Sequence, residues 1–480
     1  MSSRFKQFGL VFSGICIGVL ISLNFAARAD RESPVAALPV EQMRKLADAF
    51  NNIKRFYVDS VDDKKLLDDA ISGMVSGLDP HSSYLDEEGN KEMDESIKGE
   101  FGGLGLQVEP KDGYVKVESP MEGTPAFRAG VKAGDLVIKI DGETVKGLTI
   151  SQAVKKMRGV PGTKVTLTIF RSGMDQPFDV PLVREVIQVR SVRSKLLEPG
   201  YGYVRVSQFQ ERTVPDLVRH IADLAKQGPL KGLVLDLRND PGGLLDGAVG
   251  VSAAFLPKGS LVVYTDGRAA GRKDYKAEPE EYSRGSSGDV MQALPAIAKT
   301  VPLVVLVNGG SASASEIVSG ALQDYKRATI IGTPTFGKAS VQTKFDFPDG
   351  KTAMKLTIAR YYTPNGRSIQ AKGIVPDIVV EESPDAVDTR LREADLPKHL
   401  LNPKEVASQP AAASAPLAAS EPQAALKPSR KPDGPVPPVE FGSKDDWQLG
   451  QAVLHLKGLP LAKPAVAAAP AEAESAPAVK

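Results

Sequence analysis

Asn308-Gly-Gly-Ser-Ala-Ser-Ala-Ser-Glu-Ile317 is bracketed by two apolar runs, Val301-Pro-Leu-Val-Val-Leu-Val307 before it and Ala328-Thr-Ile-Ile-Gly332 after it. The runs have the length and β-branched content of buried strands, and between them Ile317, Val318, Ala321, Leu322 and Tyr325 recur at helical spacing. Strand, helix and strand in this order make a crossover unit of an α/β core. Gly232-Leu-Val-Leu-Asp-Leu-Arg238 reads as a further buried strand. Ser313 then falls at a strand-to-helix junction, where free backbone N–H groups and the positive end of the helix dipole suit a developing negative charge. Ser313 and Glu316 also fit a Ser-x-x-Glu capping box, and read in isolation they start a helix and do no chemistry.

A nucleophilic serine needs a base, and the nearest histidines in sequence, His220 and His399, lie outside this segment. Thr335-Phe-Gly-Lys-Ala-Ser-Val-Gln342 offers a lysine instead. At its ordinary pKa of about 10.4 a lysine is charged and useless as a base near neutrality, but burial lowers that value by several units. Lys338 stands among Phe336, Gly337, Ala339 and Val341 and outside any run of charges. A surface lysine is the bland reading of that residue; paired with Ser313 it makes a dyad. Ser311 and Ser315 remain alternative nucleophiles.

At 480 residues the chain has room for two or three domains plus tails. Its 60 Lys and Arg against 59 Asp and Glu give no global field for nucleic acid or an anionic membrane. Arg4 and Lys6, the apolar stretch Phe8 to Phe25 and the small-x-small Ala27-Arg28-Ala29 predict an export signal, with residues 1–29 either removed or kept as a membrane anchor. Under both outcomes the body of the chain is exported. Cys16, the sole cysteine, lies in that signal, which excludes disulfides, thiolate metal sites and a cysteine nucleophile from the mature chain.

Four regions follow. Residues 40–96 carry Met43, Leu46, Ala47, Phe50, Ile53, Leu66, Leu67, Ala70, Ile71 and Met74 at three- and four-residue spacing, which predicts a helical platform. Leu78-Asp-Pro-His-Ser-Ser-Tyr-Leu85 interrupts it, and His81 there reads as a loop or packing residue. Residues 97–185 alternate as short strands, with Ala153, Val154 and Met157 on one helical face, and predict a mostly β module. Residues 186–380 hold the α/β core. Residues 381–480, with Ala- and Pro-rich stretches over 410–428 and 460–477, predict a largely disordered tail. Within that tail Asp445-Asp-Trp-Gln-Leu-Gly-Gln-Ala-Val-Leu-His-Leu456 has helical periodicity and docks on the core or on a partner.

Phe101-Gly-Gly-Leu-Gly-Leu106, Gly130-Val-Lys-Ala-Gly-Asp135 and Ile140-Asp-Gly-Glu143, in this order, resemble a PDZ domain. In that setting the N–H groups of Leu104, Gly105 and Leu106 converge on a peptide's terminal carboxylate. With this module and the Leu78 to Leu85 segment, the stretches Asn308 to Asp324, Gly332 to Gln342 and Tyr362 to Asp377 resemble the C-terminal processing proteases, the serine peptidase family that includes the tail-specific protease. The resemblance implies a crotonase/ClpP-like α/β core with an inserted PDZ domain. It implies Ser313 as nucleophile, Lys338 as general base and Gln342 as the residue that orients the lysine. Oxyanion donors are implied at Ala314 and at Gly242 or Gly243 of Asp240-Pro-Gly-Gly243, with Asp324 in a supporting role. No metal or cofactor is implied. Substrates are exported proteins bound by their C-termini in the periplasm, with an adaptor lipoprotein and further copies of the chain as partners, and the PDZ domain either delivers tails or gates the protease. The sequence departs from the family at Ala339, where many relatives have glycine. Two rivals from other classes are a catalytically inactive PDZ scaffold and a crotonase-like acyl enzyme, the latter without an evident acyl-carrier site.

Overall fold

The computed structural model describes residues 39–283, 288–383, 390–403 and 440–462; the export signal with Cys16 and the stretches 410–428 and 463–477 lie outside them. The described residues divide into two units, one up to Ile71 and one from Ser72 onward. The first contains helix α1 (Val40–Phe56) and the start of α2 (Asp63–Ser76). The periodic apolar residues of α1 form the expected helix, but Met43, Leu46, Ile53 and Phe56 are all exposed. So short a unit has no second layer to cover them.

In the second unit the Asp-Pro break after α2 becomes a tight turn. The Asp79 carboxylate accepts from the N–H groups of His81 and Ser82 and from the hydroxyls of Ser82 and Thr357. The strand β1 (Ser83–Leu85) that follows pairs antiparallel with residues of the segment Ala353–Tyr362 in the α/β region. The platform is therefore more than helical: it contributes a strand to a core sheet. Helix α3 (Glu87–Lys98) starts at Asp86, whose side chain accepts from Gly89 N–H, and stops at Gly99 in the left-handed conformation, φ +71°.

The β module hangs on a two-stranded neck, β2 (Glu100–Gly103) against β9 (Glu185–Gln188). Between them lie β3 (Leu106–Lys111), β4 (Tyr114–Pro120), β5 (Leu136–Ile140), β6 (Glu143–Thr144), helix α4 (Ile150–Met157), β7 (Lys164–Phe170) and β8 (Phe178–Val183). The sheet order is β3-β4-β5-β7-β8, with β6 beside β5, so β3 is an edge strand. Val117, Val137, Leu167 and Ile169 are fully buried against Ala153 and Met157 of α4. The buried Arg184 guanidinium donates to the carbonyls of Lys156 and Met157 at the end of α4 and to Lys164 O, satisfying acceptors that a helix C-terminus leaves open.

The core is a six-stranded sheet in the order β10 (Val192–Glu198), β11 (Tyr201–Val206), β12 (Gly232–Asp236), β15 (Leu303–Val307), β16 (Thr329–Gly332), β19 (Ile378–Val379), parallel from β11 onward. Its strands alternate faces as a pleat requires. Leu233, Leu235, Leu303, Val305, Val307 and Ile330 pack on the side of α5 (Thr213–Lys226), α6 (Leu245–Ala253) and α7 (Ala314–Asp324). Val234, Val304, Leu306 and Ile331 face the other way, onto Leu449 and Ala452 of α8 (Trp447–Leu456). A parallel sheet apolar on both faces needs cover on both, and the periodic segment of the tail is that cover. The tail thus contains two ordered pieces, residues 390–403 and 440–462. A second sheet, β1-β18-β13-β14 with β17 on β18, combines β13 (Leu261–Gly267), β14 (Gly271–Lys276), β17 (Ser340–Asp346) and β18 (Ala353–Tyr362).

Arg184→Met leaves the C-terminal carbonyls of α4 without their donor inside the module. The substitution is expected to cost roughly 2–3 kcal/mol, read as a lower urea midpoint of a β-module probe in the full chain.

Candidate active site

The C-terminal ends of neighbouring parallel strands β12 and β15 leave two loops side by side, the position at which α/β sheets bind ligands. The first, residues 237–244, and the second, residues 308–313, are stitched together. Asn308 Oδ1 accepts from Asn239 N–H at 2.9 Å, and Asn308 Nδ2 donates to Asn239 Oδ1 at 2.9 Å. Ala312 N–H donates to Asp240 O, Ser311 Oγ to Leu237 O at 2.8 Å, and Ser315 Oγ to Asp240 O at 3.0 Å.

These bonds sort the three serines. Ser311 and Ser315 are fully buried and their hydroxyls are spent on the neighbouring loop. Ser313 keeps partial solvent access. Its backbone, at φ 53° and ψ −109°, occupies a region that non-glycine residues seldom enter. Such a turn lifts a side chain off the mouth of a helix, as in the strained elbow of other serine hydrolases.

The N–H of Ala314, first residue of α7, has no acceptor among the described residues. Gly242 is pressed against it: a Cβ there would stand 2.8 Å from Ala314 N and 2.9 Å from Ser313 Cβ. The two glycines differ in their hydrogen bonds. Gly242 N–H donates to Asp240 Oδ1 at 2.9 Å, whereas Gly243 N–H has no acceptor among the described residues. Asp240 itself is wholly buried, its Oδ2 unpartnered, and burial pushes its carboxyl well above the ordinary range.

Lys338 enters from the loop between β16 and β17. Burial lowers its pKa to about 8, with Lys355 adding to the fall and Glu393, Glu316 and Asp79 opposing it. Its ammonium has no hydrogen bond or ion pair among the described residues. Gln342 does not meet it: the Gln342 amide donates to Ser340 Oγ and Thr357 Oγ1. Serine and lysine are joined instead through two groups that sequence reasoning missed. Buried Glu316 accepts from Ser313 N–H at 2.8 Å and Lys338 N–H at 3.0 Å with one oxygen, and from Gly337 N–H and the Thr335 hydroxyl with the other. The Tyr361 hydroxyl stands 2.6 Å from Lys338 O and 3.1 Å from Ser313 O. Glu316 was visible as the last residue of the capping box, while nothing local marks Tyr361.

A third missed residue, Glu393, sits in the tail. One of its oxygens accepts from Gln370 Nε2, and Gln370 Oε1 accepts from Ala339 N–H beside the lysine; the other meets His81 Nε2 at 2.7 Å. His81 is thereby a packing partner of the lysine loop. Asp324 supports the helix motif by accepting from Asn365 N–H and pairing with Arg367. At the β module, the Leu104-Gly105-Leu106 turn adjoins a cavity of about 70 Å³ whose lining includes Phe101, Val108, Val154 and Met157. Gly105, at φ +74°, has no room for a Cβ, which would fall 2.3 Å from Thr124.

Comparison with known proteins agrees with these parts. Residues 200–380 match Peptidase family S41, residues 102–182 a PDZ domain, and residues 22–89 the Activating protease CtpB N-terminal domain. The chain is 44% identical over 428 residues to the Carboxy-terminal-processing protease of Bartonella bacilliformis, covering 87% of this chain and 89% of that one. It is 40% identical over 338 residues to the Carboxy-terminal processing protease CtpA of Bacillus subtilis, covering 70% and 68%. Among solved structures, the photosystem II D1 C-terminal processing protease aligns at 30% identity and a TM-score of 0.40, over 70% of this chain and 92% of that one. The chain belongs to the carboxy-terminal-processing proteases, serine peptidases of family S41 with a PDZ domain.

Proposed function

We propose that Ser313 is the nucleophile and Lys338 the general base of a Ser-Lys dyad that cleaves exported proteins selected by their C-terminal tails. The observation that carries this reading is the difference among the three serines: Ser313 alone is not fully buried and its hydroxyl is not spent on the neighbouring loop, and it stands on a strained turn at the mouth of α7 with free N–H groups beside it. Ser313 Oγ attacks a peptide carbonyl carbon while Lys338 Nζ, neutral beforehand, takes the hydroxyl proton. The N–H groups of Ala314 and Gly243 receive the oxyanion. The carbon–nitrogen bond then breaks, Lys338 returns the proton to the leaving amine, and water hydrolyses the acyl-enzyme by the same route. Gln342 would serve the lysine through its Oε1, since its Nε2 donates to Ser340 Oγ and Thr357 Oγ1.

The PDZ domain takes the substrate's terminal carboxylate on the amides of Leu104, Gly105 and Leu106 while β3 pairs with the tail's backbone. Export to the periplasm through residues 1–29, a crotonase/ClpP-like fold of the core, an adaptor lipoprotein and self-association belong to the same proposal. It predicts that Ser313→Ala and Lys338→Ala each lower cleavage of an unfolded protein by at least about 10³-fold; survival of activity in Ser313→Ala would place the nucleophile elsewhere.

Because the base must be neutral, kcat/KM is expected to rise with pH through about 8. Glu393 favours the ammonium and Lys355 disfavours it. The pH–rate limb should therefore move down in Glu393→Gln and up in Lys355→Gln, a pair of opposite shifts that a lysine remote from the chemistry would not produce.

Glu316 is pushed up to about 7 by burial against the pull of its four donors. In Glu316→Gln the new amide cannot accept where it must donate. The variant should lose roughly 3 kcal/mol of stability by chemical denaturation and about 10²-fold in kcat, with PDZ binding of a tail peptide unchanged by calorimetry.

A further inference from the structure

The oxyanion loop is preceded by a charged cluster that the protease core does not complete on its own. Asp236 and Arg238 alternate with Leu235 and Leu237, so their side chains lie on the α8 face of the sheet, where both are fully buried. Arg238 donates to both oxygens of Asp236, and the largely buried Arg205, its side chain 19% exposed, lies 3.3 Å from that same carboxylate. Two guanidinium groups share one carboxylate, and wholly buried Arg238 keeps an Nη1 that Asp236 does not reach, an arrangement costing several kcal/mol unless a second anion is supplied.

The tail supplies it. Arg238 Nη1 donates to Asp446 Oδ1 at 2.8 Å and Nη2 to Asp446 Oδ2 at 2.6 Å, a bidentate pair in which both side chains are about 1% exposed or less. Gln448 Oε1 accepts a further bond from Nη1 at 3.0 Å, and the Phe441 ring stacks 4.2 Å from the guanidinium carbon. Asp446 also caps α8 by accepting from Leu449 N–H at 3.1 Å. The same carboxylate that starts the covering helix thus anchors the residue from which the Asn239–Gly243 loop departs. That departure is demanding, since Asn239 is held at φ +54°, and Arg238 O is fixed by Arg205 Nη2 at 2.9 Å.

We propose that Asp446 is a positioning residue for peptide cleavage, holding the loop that presents Gly243 N–H to the oxyanion through its bidentate pair with Arg238. The proposal rests on the assignment of Gly243 as oxyanion donor. Asp446 touches neither substrate nor reacting atoms. Its effect reaches the chemistry through one side chain, that of Arg238, and the four residues from Asn239 to Gly242, and an error of about 1 Å in a donor costs on the order of 10²-fold in rate.

The test uses the full chain. Asp446→Asn keeps a helix cap and removes the charge. Expected are a fall in kcat of about 10- to 100-fold with KM within twofold of wild type, faster amide hydrogen exchange confined to residues 239–243, and partial recovery of kcat in Asp446→Glu. Gln448→Leu removes the neutral acceptor without altering charge; it should lower kcat about threefold, and carries the test if Asp446→Asn fails to fold. Ser313-dependent cleavage by wild type together with unchanged kcat in a folded variant overturns this proposal alone, as does a fall in rate that tracks a general rise in exchange across the core. Absence of Ser313-dependent cleavage in wild type overturns the reading of the site, and this proposal with it.

Discussion

A single buried carboxylate organises the active region. Glu316 is fully buried and makes no ion pair among the described residues; it is satisfied by three backbone N–H groups and one hydroxyl, drawn from the serine turn and the lysine loop. Hydrogen bonds to a charged group are worth about 1.5–3 kcal/mol each, and leaving one unmade inside a protein costs as much. Neither loop can therefore move far without orphaning a donor in the other. The strained backbone at Ser313 is tolerated because its N–H is held at this carboxylate while its carbonyl receives the Tyr361 hydroxyl. The low pKa of Lys338 depends on the same loop staying closed over apolar surroundings.

That local clamp stands on a sheet that must be covered on both faces. The helices of the crossover units cover one, and the other is covered by α8, which begins far along the chain from the last core strand. The tail's earlier ordered piece adds a second brace: Arg392 donates to Thr335 O and Lys372 O, and Glu393 N–H to Phe336 O. One tail segment thus holds the lysine loop and the other the loop that faces the serine. Both do so with charged side chains buried in the core, where a partner's removal is expensive.

What could be read from sequence was what local pattern encodes. Alternation located β7, continuous apolar runs β15 and β16, and three-to-four spacing α7, each within a residue or two, because such patterns reflect which sides face a core. Ser313 and Lys338 were legible through the unusual pairing of a small-residue helix start with a lysine in apolar company. The choice between Gly242 and Gly243 was not, since it turns on whether the Asp240 side chain reaches one N–H or the other. Tyr361, Gln370, Glu393 and the Asp446–Arg238 pair were invisible for a different reason. Their meaning lies in contacts between residues remote in sequence, and in the tail an Ala- and Pro-rich composition masks two short stretches that carry specific polar partners.

The order of these parts along the polypeptide has a consequence for how the molecule comes to be. A growing chain delivers Ser313 and Lys338 well before Arg392 and Glu393, and these before Asp446 and α8. Until the last of them arrives, one face of the parallel sheet is bare and Arg238 has Asp236 but not Asp446 to pair with. Emerging domains fold as their residues become available, so the β module, whose core draws only on residues between Leu104 and Leu182, can close early. The loop that faces the serine receives its tail anchor only with α8, and the part that binds a tail can thus be complete before the part that cuts.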